Sequence, residues 1–356
     1  MLYRYKIRPK SPFITPLMSD TFFGHLCWAL RYDKGEDFLV DFLNSYGNDK
    51  SAPVLFSSAF ASGMLPRPVL PPLDRKQTRK FIEEKFVNNN AELFKSMTDK
   101  QKRFTGMTLV KSWNKIGCLS IKQWKSLKDE YSELRVLETF FERYKREDDF
   151  RDLTPFEIEV SASNAINRAS GTVTAESGGL FQREKIWYHK GIELDLYVEI
   201  NSNDMIPIVL RFLTEYLPAT GFGADKSIGM GELAITPDDM FEPDRFSGKA
   251  PNARLSLSLA SFPGIDSYES FYRLKTKFGK LGGDFAFSSP TGGNPKPFKK
   301  PVLMYEPGAV FLCDEDFSDK PLLENIHSDE RIRHCGIPVS IPFKISEDIS
   351  YANIAA

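Results

Sequence analysis

The sequence predicts an α+β protein of two domains, and three observations predict it. The chain has 356 residues, more than one ordinary domain holds and enough for sizeable cores. Residues 2–7 alternate apolar and basic side chains in period two, and a capped apolar helix and two further strand signals follow. A helix, a glycine-rich loop and a strand then close the first unit before residue 243. The resulting order, βαββ…αβ, is that of ferredoxin-like and RRM-like folds.

The elements follow in order. Pro9, Pro12 and Pro16 make a turn after the first strand. Ser19 or Asp20 then caps a helix, because either side chain can accept from the free N–H groups of a first turn. Phe22, Phe23, Leu26, Cys27 and Leu30 give that helix one apolar face. Residues 54–60 and 64–70 are two strands joined at Ser62-Gly63. The composition then shifts. Residues 75–128 hold fourteen Lys/Arg against four Asp/Glu, and residues 129–159 hold eleven acidic against five basic side chains. Residues 74–152 are therefore an insertion, helical where Leu134, Leu137, Phe140, Phe141 and Tyr144 recur. Its basic part is either a solvated charged face or a surface for RNA or a partner. Residues 157–165 and 180–200 carry strand signals on either side of a small polar segment, with a hairpin over 164–190. Residues 205–217 are a short apolar helix, and 232–236 the last strand of a first domain spanning 1–243. Residues 236–252, rich in Pro, Asp and Gly, are the linker. Residues 252–356 form a β-rich second domain with strands at 255–259, 302–305, 310–312 and 337–345, the Glu306-Pro307-Gly308 turn joining the second to the third.

Composition excludes some classes. Hydrophobic residues make up 41% and charged residues 27%, as in ordinary globular proteins. The net charge of −1 means that any nucleic-acid binding comes from local patches, not bulk charge. Cys27, Cys118, Cys313 and Cys335 share no CxxC spacing, which predicts free thiols in a reducing cytosol, with no zinc site. The first residues lack the apolar run of a signal peptide, and no stretch is long and apolar enough to span a membrane.

The densest motif is Gly221-Phe222-Gly223-Ala224-Asp225-Lys226-Ser227-Ile228-Gly229-Met230-Gly231. Glycines allow positive φ and leave backbone N–H groups unshielded, so a curved run of them can hold an anion. Lys226 adds a point charge and Ser227 a hydroxyl donor. The loop comes after a helix and before a strand. Nucleotide-binding loops run the other way, so an ATP or NAD site is disfavoured and the phosphates of a polymer fit better. A tight helix-to-strand connection is the bland alternative. Thr15, Ser19, Asp20, Thr21, Gly24 and His25 lie about the start of the first helix, where N–H groups can receive a phosphate or simply be capped. Asn167, Arg168, Ser170, Gly171 and Thr172 suit an exposed loop whose arginine could grip a phosphate. Residues 272–283 interleave basic and aromatic side chains, with Lys299 and Lys300 nearby, which fits either a stacking surface or a basic edge for a partner. Catalytic patterns are poor. The histidines, His25, His189, His327 and His334, form no metal-ligand spacing, and no nucleophile elbow is present.

Taken together and in order, these pieces resemble the RAMP superfamily of CRISPR proteins, and within it the fourth subunit of the Csm (type III-A) effector complexes. The similarity lies in residues 11–29, in Leu65-Pro66-Arg67-Pro68-Val69-Leu70-Pro71-Pro72, in Asn167-Arg168 through Gly179-Leu180-Phe181, in the loop 221–231, and in residues 272–283, 298–304 and 332–336. It is weakest over 74–152. The sequence departs from related proteins at Gly223-Ala224-Asp225-Lys226, where a further glycine and more basic residues are usual. The resemblance implies two ferredoxin-like domains of the RAMP type, with a thumb-like hairpin. It implies a non-catalytic, cofactor-free subunit that binds the 5′ tag of crRNA, caps the foot of the complex, adjoins backbone Csm subunit three and docks the large palm/HD Cas subunit. The residues so implicated are the first-helix and loop residues above, Arg67, the hairpin residues and Lys299 and Lys300. Some RAMP relatives instead cleave crRNA precursor without metal, and His25 would be the general base of such an enzyme. A protein scaffold without RNA contact is the third reading.

Overall fold

The computed structural model describes residues 1–47, 50–89, 94–143, 155–164, 166–167, 169–173, 179–286 and 297–346. The chain opens with strand β1 (Leu2–Pro9) and helix α1 (Ser19–Lys34), then α2 (Glu36–Asn44), β2 (Val54–Phe56), β3 (Phe60–Ala61) and β4 (Met64–Pro66). The insertion follows: α3 (Arg75–Phe81) runs through a π-helical turn at Ile82–Phe86 into α4 (Val87–Asn89), then come α5 (Asp99–Asn114), β5 (Cys118–Ser120), α6 (Ile121–Leu127) and α7 (Glu133–Arg143). Strands β6 (Phe156–Asn164), β7 (Leu180–Tyr188) and β8 (Leu194–Ile200) lead to α8 (Met205–Arg211), a π-helical turn at Phe212–Tyr216, α9 (Leu217–Thr220) and β9 (Leu233–Pro237). The last part holds β10 (Ala253–Ser256), β11 (Ser270–Phe271), β12 (Leu274–Lys277), β13 (Val302–Tyr305), β14 (Val310–Phe311) and β15 (Ser340–Phe343).

The first sheet has the order β2-β8-β1-β9, with β3 also on β8. This is the ferredoxin arrangement, and β1 is antiparallel to both of its neighbours. The helical layer is α1 and the 205–220 helix. Phe22, Phe23, Leu26, Ala29 and Leu30 of α1 are buried at helical spacing, as are Met205, Val209, Phe212, Leu213 and Leu217. One strand assignment changes. Residues 64–70 do not join this sheet: only Met64–Pro66 is a strand, and it pairs with β5 of the insertion. The strand beside β1 is instead β8, whose LDLYVEI run is buried nearly throughout. The hairpin also begins earlier than residue 164. Its ladder runs from Phe156↔Tyr188 to Asn164↔Leu180 and stands out as a separate two-stranded sheet.

The second lobe has a sheet of order β11-β14-β10-β15 and a β12-β13 pair. Among the described residues it carries 3-10 turns and no α-helix, so its ferredoxin likeness is confined to strands. The insertion supplies helical cover. Trp124 and Tyr131 pack on Phe343 of β15, Tyr131 N–H donates to the Lys344 carbonyl, and Lys344 N–H donates to the Lys128 carbonyl. The expected linker is packed too: Phe246 is buried and its carbonyl accepts from the Trp124 indole at 2.9 Å. Gly106 lets α5 lie close on the Ile82 turn, where a Cβ would meet Ile82 Cγ2 at 2.6 Å.

Buried serines join the lobes. Ser258 Oγ donates to the Phe56 carbonyl of β2 at 2.8 Å and accepts from Val339 N–H at 2.9 Å. Ser58 N–H donates to the Leu257 carbonyl. Ser19 Oγ accepts from Leu259 N–H at 3.0 Å, and Ser19 N–H donates to Ser58 Oγ at 3.3 Å. With water excluded, each lost partner leaves a group costing roughly 1–3 kcal/mol. Ser258→Ala is therefore expected to lower unfolding free energy by about 2 kcal/mol in urea titration, with the slope of the transition unchanged.

Candidate nucleic-acid interface

Three segments distant in sequence meet at the β9 edge of the first sheet: the turn after β1, the loop after α9 and the side of the hairpin. Gly231 N–H donates to the Pro12 carbonyl, Lys10 N–H to the Glu232 carbonyl, and Phe13 and Ile186 exchange backbone bonds. Phe222 is fully buried among Phe13, Phe22 and His25. It anchors the loop and is not available to a ligand, which corrects its place among the binding residues. Gly221, Gly223, Gly229 and Gly231 all have positive φ. At Gly223 a Cβ would strike Thr15 Cβ at 2.5 Å, and at Gly231 it would strike the Phe222 carbonyl oxygen at 2.0 Å. These two glycines serve close packing.

Most loop amides are already bonded. Gly221 N–H donates to Leu217, Phe222 N–H to Gly231, and the amides of Ile228, Gly229 and Met230 close a 3-10 turn over Lys226–Ile228. Gly223 N–H donates to His25 Nε2 at 2.9 Å and Ala224 N–H to Thr15 Oγ1 at 3.1 Å. The amides left without a partner among the described residues are those of Asp225, Lys226 and Ser227. Asp225 is in the left-handed region at φ 60, a conformation its short polar side chain tolerates. Lys226, Ser227, Ile228 and Gly229 are exposed. The cradle is thus three consecutive amides wide, narrower than eleven loop residues suggest.

Charge at this edge is mostly paired. Arg183 of β7 lies 3.0 Å from Asp225 and over the Phe181 ring. Lys10 faces Glu232 at 3.6 Å and Lys185 faces Glu159 at 3.5 Å. Lys226 has no acidic partner among the described residues, and burial of its stem holds its pKa below the ordinary lysine value. Arg183 pairs with the Asp225 carboxylate beside these three amides. Sequence reasoning missed it. The signal was the alternation Phe181, Arg183, Lys185 along one face of a strand.

His25 is a bonded acceptor. Burial, with the Lys226 charge adding, pushes its pKa down to about 3, so the ring is neutral and Nε2 takes the Gly223 proton donor. Gly24 beside it faces open space. The start of α1 is not an open anion site. Its N-cap is Met18 with no side-chain cap, contrary to the expected Ser19 or Asp20 cap, because Ser19 is committed to Leu259 and Asp20 to Lys277 Nζ at 3.1 Å. Thr21 Oγ1 shares the Asp20–Lys277 cluster. Arg67 also faces inward. It pairs with buried Glu133, donates to the Trp113 carbonyl at 3.0 Å and lies over the Trp113 ring. Lys299 points at the Arg333 carbonyl and His334 Nδ1, while exposed Lys300 donates to the Asn325 carbonyl at 2.8 Å. Arg67 and Lys299 are thus structural cations, since a nearly buried charge needs a partner.

At the hairpin end, Asn167 Oδ1 accepts from Ala169 N–H, Asn167 N–H donates to Thr172, and Ser170 and Thr172 share a hydroxyl bond. Gly171 takes the positive φ this turn needs. Arg168 lies outside the described residues. Arg183 is opposite Ser161, so this turn begins about 10 Å farther along the ladder than the Arg183–Asp225 contact. Ile158, Val160 and Leu180 lie on one face of the hairpin and are 56–75% exposed.

Among the described residues no group of His, Cys, Asp and Glu could hold a metal, and no helix is long and apolar enough to cross a membrane. All four cysteines are free thiols, and burial pushes Cys27 and Cys335 up to about 12.

A ferredoxin-order sheet with a glycine-rich helix-to-strand loop and a hairpin against its edge defines an α+β protein in which loop and hairpin share one edge. The family model described as RAMP superfamily matches residues 10–234, and the chain belongs to that superfamily. A chain of the crystal structure of the Csm3-Csm4 subcomplex in the type III-A CRISPR-Cas interference complex has the same fold, with a TM-score of 0.53 at 13% identity, over 96% of this chain and 99% of that one. A chain of the Csm1-Csm4 cassette in complex with AMPPNP gives 0.50 at 14% identity, over 98% and 100%. No curated protein sequence matches.

The histidines make stability depend on pH. His334 is buried, its Nε2 has no partner among the described residues, and burial with the Lys299 charge pushes its pKa down to about 3. Unfolded histidine takes up its proton near 6.5. Between about 6.5 and 3 the unfolded chain binds more protons, so stability falls as pH is lowered through that window. His334→Gln is expected to lose less stability than the parent between pH 7 and pH 5, read from urea midpoints.

Proposed function

We propose that this chain is the fourth subunit of a type III-A CRISPR effector complex and holds the 5′ tag of crRNA at the β9 edge. The name common to the two structures of the same fold is Csm4, and both match over nearly their whole length. The observation that carries the reading is the meeting, at one edge, of Arg183 with the Asp225–Lys226–Ser227 amides and the Lys226 ammonium, which have no partner among the described residues. Consecutive amides and a lysine suit a phosphate, and Thr15 and His25 hold the loop in shape beneath them. Phosphate contacts of this kind position a strand without reading its sequence. The hairpin turn, with Asn167, Ser170, Gly171 and Thr172, would meet the next nucleotides at the boundary of tag and guide. Docking of the large palm/HD subunit, contact with backbone Csm subunit three and residence in the cytosol belong to the same proposal, the last supported by four free thiols.

The role is non-catalytic. A general base needs a free ring nitrogen, and the Nε2 of His25 is spent on Gly223. Incubation of the purified chain with repeat RNA in EDTA should give no cleavage, and cleavage abolished by His25→Ala would replace this reading with the endoribonuclease. Lys226→Ala is expected to weaken tag RNA binding several-fold and to reduce the slope of log K against log salt by about 0.7, one single-strand phosphate's worth. Unchanged affinity and slope would refute the assignment.

A further inference from the structure

We propose that the outer face of α5 is a second docking surface, for single-stranded RNA, separate from the β9 edge and independent of the tag reading. The charge segregation comes first. In a chain of net charge −1, residues 75–128 hold fourteen Lys/Arg against four Asp/Glu. Folding neutralises only some of these cations. Arg79 and Arg103 share Glu83, Lys85 meets Glu138 and Lys102 meets Asp99. Lys100, Lys111 and Lys115 are exposed and have no acid within ion-pair distance among the described residues, and neither do Lys122 and Lys125 of α6.

The helix then sorts its side chains. Lys100, Phe104, Met107 and Lys111 are spaced four, three and four residues apart, which places them in one stripe. Phe104 is 74% and Met107 42% exposed. Gly106, Val110 and Trp113 are buried on the opposite side, with Gly106 too close to Ile82 for any side chain. The helix is therefore fixed, and the stripe cannot turn inward. Two lysines about 16 Å apart along the axis bracket an exposed ring and a thioether.

Lysines that follow a backbone and an aromatic face on which a base can stack are what a sequence-tolerant single-strand site uses. Phe104 and Met107 alone would also suit a protein interface, but the lysines that bracket them are depleted from the cores of such interfaces, which favours the polyanion. The cations answer a polyanion by charge complementarity, and the ring answers a base.

The test measures binding of the full-length chain to a fluorescent twenty-nucleotide oligouridylate, which has no tag, by anisotropy across a KCl series. Lys100→Ala/Lys111→Ala/Lys115→Ala is expected to reduce the log–log salt slope by about 2, three single-strand contacts. Phe104→Ala is expected to weaken binding fivefold or more with the slope unchanged. Urea midpoints should stay at the parent value, because all four side chains are exposed. Absence of oligouridylate binding, a slope unaltered in the triple variant, or equal competition by polyglutamate would each overturn the proposal. Lys226→Ala separates the two sites. If it alone abolishes the oligouridylate slope, the α5 surface falls and the tag edge stands. If it changes neither oligouridylate nor tag binding while the triple variant weakens the former, the tag reading falls and the α5 surface stands.

Discussion

The hydrogen bonds of a few buried serines decide what the rest of the molecule can do. Ser19, Ser58 and Ser258 satisfy backbone groups at the meeting of β2, the start of α1 and the strand region after β10. An apolar pair there would strand amides and carbonyls in a dry interface. Because the first turn of α1 is used in this weld, it cannot also serve as an anion site. Within the loop 221–231, the amides without a partner among the described residues are those around Lys226, and the proposed anion site lies there. The same bonds thus join the lobes and occupy the start of α1.

Local pattern was enough wherever a segment's fate depended on its own residues. The alternation of residues 2–7, the apolar run of β8 and the strand at Val302–Tyr305 could all be read directly. Asp74, Thr98 and Ser120 each precede a glutamine by three residues, and each forms a reciprocal capping box. Those signals stood in the sequence, whereas the helical reading of the insertion rests on the recurrence of Leu134, Leu137, Phe140, Phe141 and Tyr144. The failures share one cause. Met64–Pro66 looks like any strand, but its partner lies in the insertion. Arg67 looks like a binding residue until Glu133, 66 positions later, is folded onto it. Ser19 looks like a cap until Leu259, 240 positions later, takes its hydroxyl. Periodicity reports which side is apolar and cannot report which partner will fill it.

The candidate interface was legible in the same partial way. Four glycines in eleven residues announced unusual backbone, and all four do take positive φ. The sequence could not say that Gly223 and Gly231 are glycine so that Thr15 and Phe222 can come close, while the amides at the middle of the loop have no partner among the described residues. The division between packing and binding appears only when the turn after β1 and the side of the hairpin are set against it.

The insertion's place on β15 has a consequence for synthesis of the chain. Trp124 and Tyr131 emerge more than two hundred residues before Phe343, the ring they finally rest on. Until that last strand leaves the ribosome, the aromatic pair lacks Phe343 and β10 lacks its partner on the β15 side. Such late, long-range closure slows folding and exposes sticky intermediates.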